Sequence, residues 1–435
     1  MDYMTAQQAA KLWGISDRRV RILCSDGKIT GAVKDGKSYK IPADAQKPAD
    51  GRIRESNNRY LKWDNTVIGT IDDKNAVTFT QPEYNEVVSL YIRGEKSWTP
   101  EQFTEFLSER IVSRDRRDIE KILFRCGLSH YDVLRIAEIT RGIHPKDLLW
   151  IAYDENEKLE TIMTDVFRSV FRQRIDLVGD SIDTPEGYNI KRYGVYKNPT
   201  HDANQRFAMG TREPCCLSNN GQYGILKQRI NPLVTDVESE VAVYLLAQEL
   251  GIPCCPAYRI DDDTVFSAFL YDFSKEYIVH FRRLFDGQRS ENEYQNLISV
   301  RPQYKDDVAR MILLDFITRQ DDRHLSNIAI KMGGKKESFY PLYDNGRSLF
   351  YEDTEEMVEK AVSDPTAYAT SFGYSGTYWD YVQEIAKGQD ASKLINLNIS
   401  KGQIADVLKE AGFKGYRFDG ALEWIVKAIG MVKRL

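Results

Sequence analysis

Cysteine and histidine are scarce: 6 and 5 among 435 residues. The cysteines are Cys24, Cys126 and the vicinal pairs Cys215, Cys216 and Cys254, Cys255. None lies in a C-x-x-C pair, which argues against a zinc finger or a thioredoxin-like site. Adjacent cysteines rarely bond to each other, so the set is no disulfide framework, and a reduced, cytoplasmic setting is the expectation. His130 and His144 stand without a second ligand at metal spacing and read as packing or surface residues. No apolar run approaches the ~18 residues of a membrane span. The first residues, MDYMTAQQAAKLWG, lack the basic-then-apolar order of a secretory signal. What is present is an ordinary globular mix, 42% apolar and 29% charged, long enough for two to four domains.

The net charge of -5 hides an uneven distribution. Residues 1–54 carry 11 Lys/Arg and 6 Asp, a net of +5, which leaves -10 for the remainder. The basic segment is also patterned. Thr5 and Gln8 have capping-box spacing. Ala9, Ala10, Leu12 and Trp13 follow as an apolar stripe, and Gly14 ends the helix. Ser16 can cap a second helix from Asp17 to about Cys24, with Val20, Ile22 and Leu23 available for burial. Short strands at 32–34 and 37–41 flank Asp35 and Gly36, a strong hairpin signal. Two helices and a hairpin make a winged helix, and residues 1–50 resemble the winged-helix domains of the MerR and excisionase families. By that resemblance Arg18, Arg19 and Arg21 lie on the helix that reads DNA, and Lys34, Lys37 and Lys40 on the wing. Arginine can read guanine edges and lysine can neutralise phosphate. A solvated basic face that binds protein is the plainer alternative. Residues 42–59 read as a linker.

Residues 60–80 alternate between short apolar runs and Asp/Asn turns, as in an antiparallel meander. From 82 to about 178 the pattern is helical: Thr99 caps a helix with Pro100 in its first turn, and further helices are expected near 117–126, 131–140 and 159–171. This accessory region, 60–175, carries no evident chemistry.

The chemistry lies further on. Residues 305–319 have a helical apolar period, with Val308, Met311, Ile312, Phe316 and Ile317 inward. Then come Asp322, Arg323, His324 and Asn327, an apolar strand at 328–330, Gly333 and Gly334, a return strand at 339–343, and Asp344, Asn345, Gly346. Phosphoryl transfer needs a carboxylate to orient the attacking hydroxyl, and an amide oxygen and a second carboxylate for magnesium. D-x-x-x-x-N alone is uninformative; D-R-H-x-x-N followed by an apolar hairpin ending in D-x-G is far more specific. A lysine on a strand is also needed, paired with a helical glutamate. Residues 223–227 form an apolar strand ending at Lys227, and Glu240 follows thirteen residues later in a helix, with Glu238 as its rival. Residues 264–270 read as the last strand of a small lobe, which brings Phe269, Tyr271 and Asp272 near a hinge facing adenine.

With these residues in place the chain resembles the HipA-like serine/threonine kinases, whose catalytic loop is related to that of the phosphatidylinositol kinases. The resemblance implies an α+β, bilobal protein-kinase-like fold, with an N-lobe at 176–272 and a C-lobe at 273–435. It implies ATP and Mg2+ as cofactors, Asp322 as the catalytic aspartate, and Asn327 and Asp344 as metal ligands. Lys227, clamped by Glu240, would contact ATP, while Arg323 and His324 would shape the loop or touch phosphate. Gly210 and Thr211 are the candidates for the phosphate loop, although the Pro214, Cys215, Cys216 run after them departs from the family, as does Gln320 where Asn is common. The partners implied are a protein substrate (a translation component or the protein itself), DNA through residues 1–50, and an antitoxin-like protein, with growth regulation as the role. A DNA-binding regulator whose kinase-like region senses nucleotide without turnover is the alternative. A lipid kinase also fits D-R-H-x-x-N, but no basic amphipathic stretch for a membrane surface is evident.

Overall fold

The computed structural model describes residues 3–13, 16–25, 29, 31–36, 38–43, 45, 59–80, 84–111, 114, 119–120, 123, 128–144, 147–159, 161–162, 181–183, 189–191, 215–218, 223–229, 231–271, 276–285, 292–333, 336–370 and 376–435. Residues 1–57 and 58–435 form two compact units.

In the first unit, Thr5 N–H donates to Gln8 Oε1 and Gln8 N–H to Thr5 Oγ1, a reciprocal cap that starts the helix Ala6–Trp13. A second helix spans Asp17–Ser25. Strands β1 (Tyr3–Thr5), β2 (Val33–Asp35) and β3 (Ser38–Pro42) form an antiparallel sheet in the order β1-β3-β2. Ala6, Ala9, Ala10 and Trp13 are buried at i, i+3, i+4 and i+7, against Val20, Leu23, Cys24 and Ile41. Two expectations fail here. Leu12 is 67% exposed and Ile22 38% exposed, because both lie off the buried stripes of their helices. The hairpin is also shifted by one residue. Asp35 pairs with Ser38, so Asp35 belongs to the strand and the turn starts at Gly36, whose φ of +61° suits a glycine.

The second unit begins with β4 (Arg59–Trp63), β5 (Thr66–Ile71) and β6 (Val77–Phe79), the expected meander. The region after it is not wholly helical. β7 (Ser97–Trp98) and β8 (Leu149–Ala152) complete an antiparallel sheet in the order β7-β6-β5-β4-β8. β8 is buried at all four positions, and an apolar run that short has no period to separate strand from helix. The helices Glu86–Ile92, Pro100–Ser108 and Val133–Thr140 pack on this sheet. Thr99 caps the second of them, with Pro100 at its first position and Gln102 closing the capping box.

β9 (Ser181–Asp183), β10 (Asn189–Lys191), β11 (Cys215–Ser218), β12 (Tyr223–Gln228), β13 (Ala257–Asp261) and β14 (Thr264–Ala268) form an antiparallel sheet in the order β13-β14-β12-β11-β10-β9. β14 stops two residues short of the expected Leu270. The helix Asp236–Leu250 connects β12 to β13 and is closed by Gly251, at φ +71°, whose N–H donates to Ala247 O and Gln248 O.

The remaining core surrounds the helix Lys305–Thr318, which buries all five residues expected to face inward. The helices Tyr378–Gly388 and Gly415–Val432 pack on it, and Trp424 Nε1 donates to Phe316 O at 3.0 Å. β15 (Tyr277–His280), β16 (Ala329–Met332) and β17 (Ser338–Phe339) form a small antiparallel sheet. The return strand expected at 339–343 is thus mostly absent. Pro341 has no N–H to continue the ladder. The chain turns instead to residues 253–255: Leu342 N–H donates to Pro253 O and Cys255 N–H to Leu342 O. Among the described residues, no helix is long and apolar enough to cross a membrane.

One buried ion pair ties the accessory helices to β8. Arg110 donates to both oxygens of Asp147 at 2.7 Å, to Gly142 O and to Leu149 O; Tyr91 Oη also donates to Asp147. Removing one partner strands the other charge out of water. Asp147→Ala is therefore expected to cost about 3–5 kcal/mol in urea unfolding, and a loss within about 1 kcal/mol, the surface-pair range, would contradict this account.

Candidate functional site

Lys227 is the penultimate residue of β12, and the helix that follows carries two glutamates near its start, Glu238 and Glu240. Lys227 Nζ donates to Glu240 Oε1 and, at 2.8 Å, to Asp344 Oδ1. Arg229, on the same side of the chain, takes the other glutamate: its Nη1 and Nη2 lie 2.6 and 2.8 Å from Glu238, and Arg259 Nη2 lies 3.3 Å from it. Lysine and arginine, two residues apart, thus sort the glutamates, and only Glu240 reaches Lys227. Burial by itself would favour a neutral Lys227, but Asp344 and Glu240 outweigh it and hold the amine protonated. Lys227 in turn pulls the Asp344 carboxyl down to about 2, against the opposing effect of burial.

Asp344 has φ +59°, a left-handed conformation uncommon outside glycine. Its side chain is 46% exposed. Facing it is the loop that leaves the helix Lys305–Thr318. Arg319 caps that helix at φ +48°, with its guanidinium over Phe350 and Tyr368 and paired to Asp353 at 2.6 Å. The exit places Gln320 in the interior. Its Oε1 accepts from Asp322 N–H at 3.0 Å, and its Nε2 donates to Asp344 O at 3.3 Å. Gln320 therefore links the two loops.

Arg323 is fully buried. It pairs with Asp315, and donates to Asn327 O, Tyr343 O and Asn345 Oδ1. Asn327 Nδ2 donates to Asp322 O at 2.9 Å, and Asn327 N–H to His324 O at 2.7 Å, which closes the loop on itself. The Asp322 carboxyl is about one-third exposed. Burial raises it above the usual carboxylate range, Arg347 pulls it down, and Asp344 adds to the rise. His324 is half exposed, with Nδ1 accepting from Ser326 N–H and Nε2 4.0 Å from Asp322.

Of the sequence candidates, Lys227, Glu240, Asp322, His324, Asn327 and Asp344 thus come together in one cluster. Their carboxylate and amide oxygens are the hard donors that magnesium takes, and Asp344 is both anionic and solvent-reachable, so the set fits that ion. Phe269 and Tyr271 lie just past β14 with rings 5.7 Å apart, and Leu270 between them donates its N–H to Tyr340 Oη. Gly210, Thr211 and Asp272 fall outside the described residues. In the first unit Arg18, Arg21, Lys34 and Lys40 are exposed, Arg21 paired with Asp17 and Lys40 with Asp35. Lys37 and the Arg19 side chain fall outside the description. Sequence reasoning passed over Arg347, whose neighbours Asp321 and Asp322 are brought to it only by the tertiary fold.

No family model and no curated protein matches the chain. Among solved structures it is similar to the Helicobacter pylori proinflammatory kinase CtkA, at 15% identity and TM-score 0.42, over 52% of this chain and 88% of that one. It is also similar to the Shewanella oneidensis toxin–antitoxin protein HipA, in a complex with HipB and its operator DNA. There the identity is 14% and the TM-score 0.45, over 86% of this chain and 97% of that one. Likeness of this depth assigns neither activity nor partner.

The ion pair has a testable pH signature. Asp344 has a lower pKa in the folded chain than its unfolded value of about 3.9. Its stabilisation is therefore complete above that value and is lost as pH falls towards about 2. The stability difference between the wild type and Asp344→Asn, measured by urea unfolding, should be full at pH ~5 and smaller at pH ~3. A difference independent of pH would contradict the pairing.

Proposed function

We propose that residues 58–435 form an ATP- and magnesium-dependent serine/threonine protein kinase of HipA-like type, and that residues 1–57 bind DNA. The observation that carries the first part is the convergence of Lys227, Glu240, Asp322, Asn327 and Asp344, from a strand, two loops and a helix distant in sequence. Asn327 and Asp344 would hold magnesium, which when bound offsets the charge of the transferring phosphate. Lys227 stays cationic and is aimed by buried Glu240, so it can hold phosphate oxygens. Asp322 sits at the end of a loop fastened by Gln320, Arg323 and Asn327. It orients the acceptor hydroxyl and takes its proton as the new O–P bond forms and the bond to ADP breaks. Phe269 and Tyr271 would flank adenine.

By the same family resemblance, the acceptor is a serine or threonine of a translation component or of the protein itself, and the role is growth regulation in the cytoplasm with an antitoxin-like partner. The exposed Arg18, Arg21, Lys34 and Lys40 support the DNA reading.

Transfer of labelled phosphate from ATP tests the kinase. Asp322→Ala and Asp344→Ala should each lower it by at least ~10²-fold with unfolding midpoints that still show a folded chain. Unchanged transfer in both would sink the assignment. For DNA, anisotropy titrations on a duplex selected from a random pool test the basic face. Lys34→Ala should weaken binding about equally across sequences and reduce the salt slope by about 1. Arg18→Ala should relax base preference at a cost of about 1–3 kcal/mol. Absence of binding to any duplex would overturn this part alone.

A further inference from the structure

Three residues beyond Asp344 lies Arg347, whose side chain is 44% exposed. Its surroundings are unlike those of an ordinary surface arginine. The backbone at Arg347 and just after it is fastened to two other segments. Asp321 N–H donates to Arg347 O at 3.1 Å, Ser239 Oγ to Ser348 O at 2.7 Å, and Leu349 N–H to Thr318 O at 2.9 Å. Leu349 and Phe350 follow at φ +52° and +64°, both fully buried. Two successive non-glycine residues in the left-handed region cost energy, and persist where the surroundings over-determine them.

From this anchored base the guanidinium reaches three carboxylates. Nε lies 3.4 Å from Asp321 Oδ1, Nη1 3.7 Å from Asp322 Oδ1 and Nη2 3.8 Å from Glu352 Oε1, while the guanidinium carbon sits 5.1 Å from the Tyr351 ring centre. All three are ion-pair distances, and none is the close bidentate contact in which arginine is consumed by a single partner. The site holds two carboxylates near each other, Asp322 and Asp344. Lys227 stands against Asp344. Arg347 is the strong cation standing against Asp322; Arg323, next in sequence, is turned inward to Asp315. His324 is 4.0 Å from Asp322, and counts as a cation only when protonated.

We propose that Arg347 is a positioning residue for phosphoryl transfer, holding the Asp322 carboxylate in the direction of the acceptor hydroxyl and away from Asp321. The inference rests on the kinase reading above. It adds to that reading a residue with no place in the D-R-H-x-x-N or D-x-G pattern. A misdirected carboxylate loses alignment with the hydroxyl while nucleotide contacts through Lys227 and Glu240 are untouched.

The test measures apparent kcat and KM for ATP with the full chain, magnesium, labelled ATP and a degenerate serine/threonine peptide mixture as acceptor. Arg347→Met should lower kcat by about 10- to 100-fold and leave KM for ATP within about twofold. Arg347→Lys should recover part of the loss, as should guanidinium ion added at low concentration to Arg347→Ala. Glu352→Gln should leave kcat within about twofold, because the relevant pairing is with Asp322. An unchanged kcat in Arg347→Met would overturn the proposal while leaving the kinase intact, provided Asp322→Ala is inactive. Loss of kcat with a matching rise in KM, a lowered unfolding midpoint and no recovery by lysine or guanidinium would assign Arg347 a structural role and also overturn it. A folded wild type that transfers phosphate to no acceptor would overturn the kinase reading and this inference together.

Discussion

The arrangement of the site hangs on one buried guanidinium. Arg323 has no solvent contact, yet its donors are taken up by Asp315, two backbone carbonyls and Asn345. A buried charge is tolerable only when it is this fully paired. The partners belong to the helix Lys305–Thr318, the loop around Asn327 and the chain entering and leaving Asp344. The spacing of Asp322, Asn327 and Asp344 is therefore determined by groups that need never touch a substrate. The neighbouring Gln320 adds a second, neutral link between the same two loops.

Much of this was visible in the amino-acid order, and the visible parts share a physical cause. The helix Lys305–Thr318 buries the residues its period points inward, because it lies in the middle of a core. The strand, lysine, helix and glutamate order near 227–240 was also legible. Glu240 was chosen over Glu238 as the partner of the lysine, and the structure pairs them, but the pattern held no physical reason for that choice. The helix Asp236–Leu250 is buried without interruption from Val237 to Tyr244, so it has no polar face to set its rotation. Arg229 and Arg259 settle the matter by binding Glu238; one lies just past β12 and the other in β13, in positions that only the folded chain reveals. The same limit explains β8, a four-residue apolar run, and Arg347, whose partners are assembled by tertiary contact.

The first unit shows a different balance. Its stripes of alanine, Trp13, Val20 and Leu23 are spaced as the helical period requires, and its excess of positive charge is plain in the composition. Charge counts nonetheless overstate what is free at the surface. Arg18, Arg21, Lys34 and Lys40 are all exposed, but Arg21 and Lys40 already face Asp17 and Asp35. A polyanion would therefore exchange existing contacts at some positions and gain new ones at others.

The segment that turns away from β17 at Pro341 has a mechanical consequence. It bonds to residues 253–255 just past one end of the helix Asp236–Leu250, while Thr235 at the other end donates its N–H to Tyr351 O. Near the start of the helix Ser239 Oγ donates to Ser348 O. The helix bearing Glu240 and the stretch bearing Asp344 are thus joined at both ends of that helix, and Arg229 and Arg259 tie the same helix to the sheet through Glu238. Glu240 and Asp344 are therefore kept near each other by bonds that do not pass through Lys227.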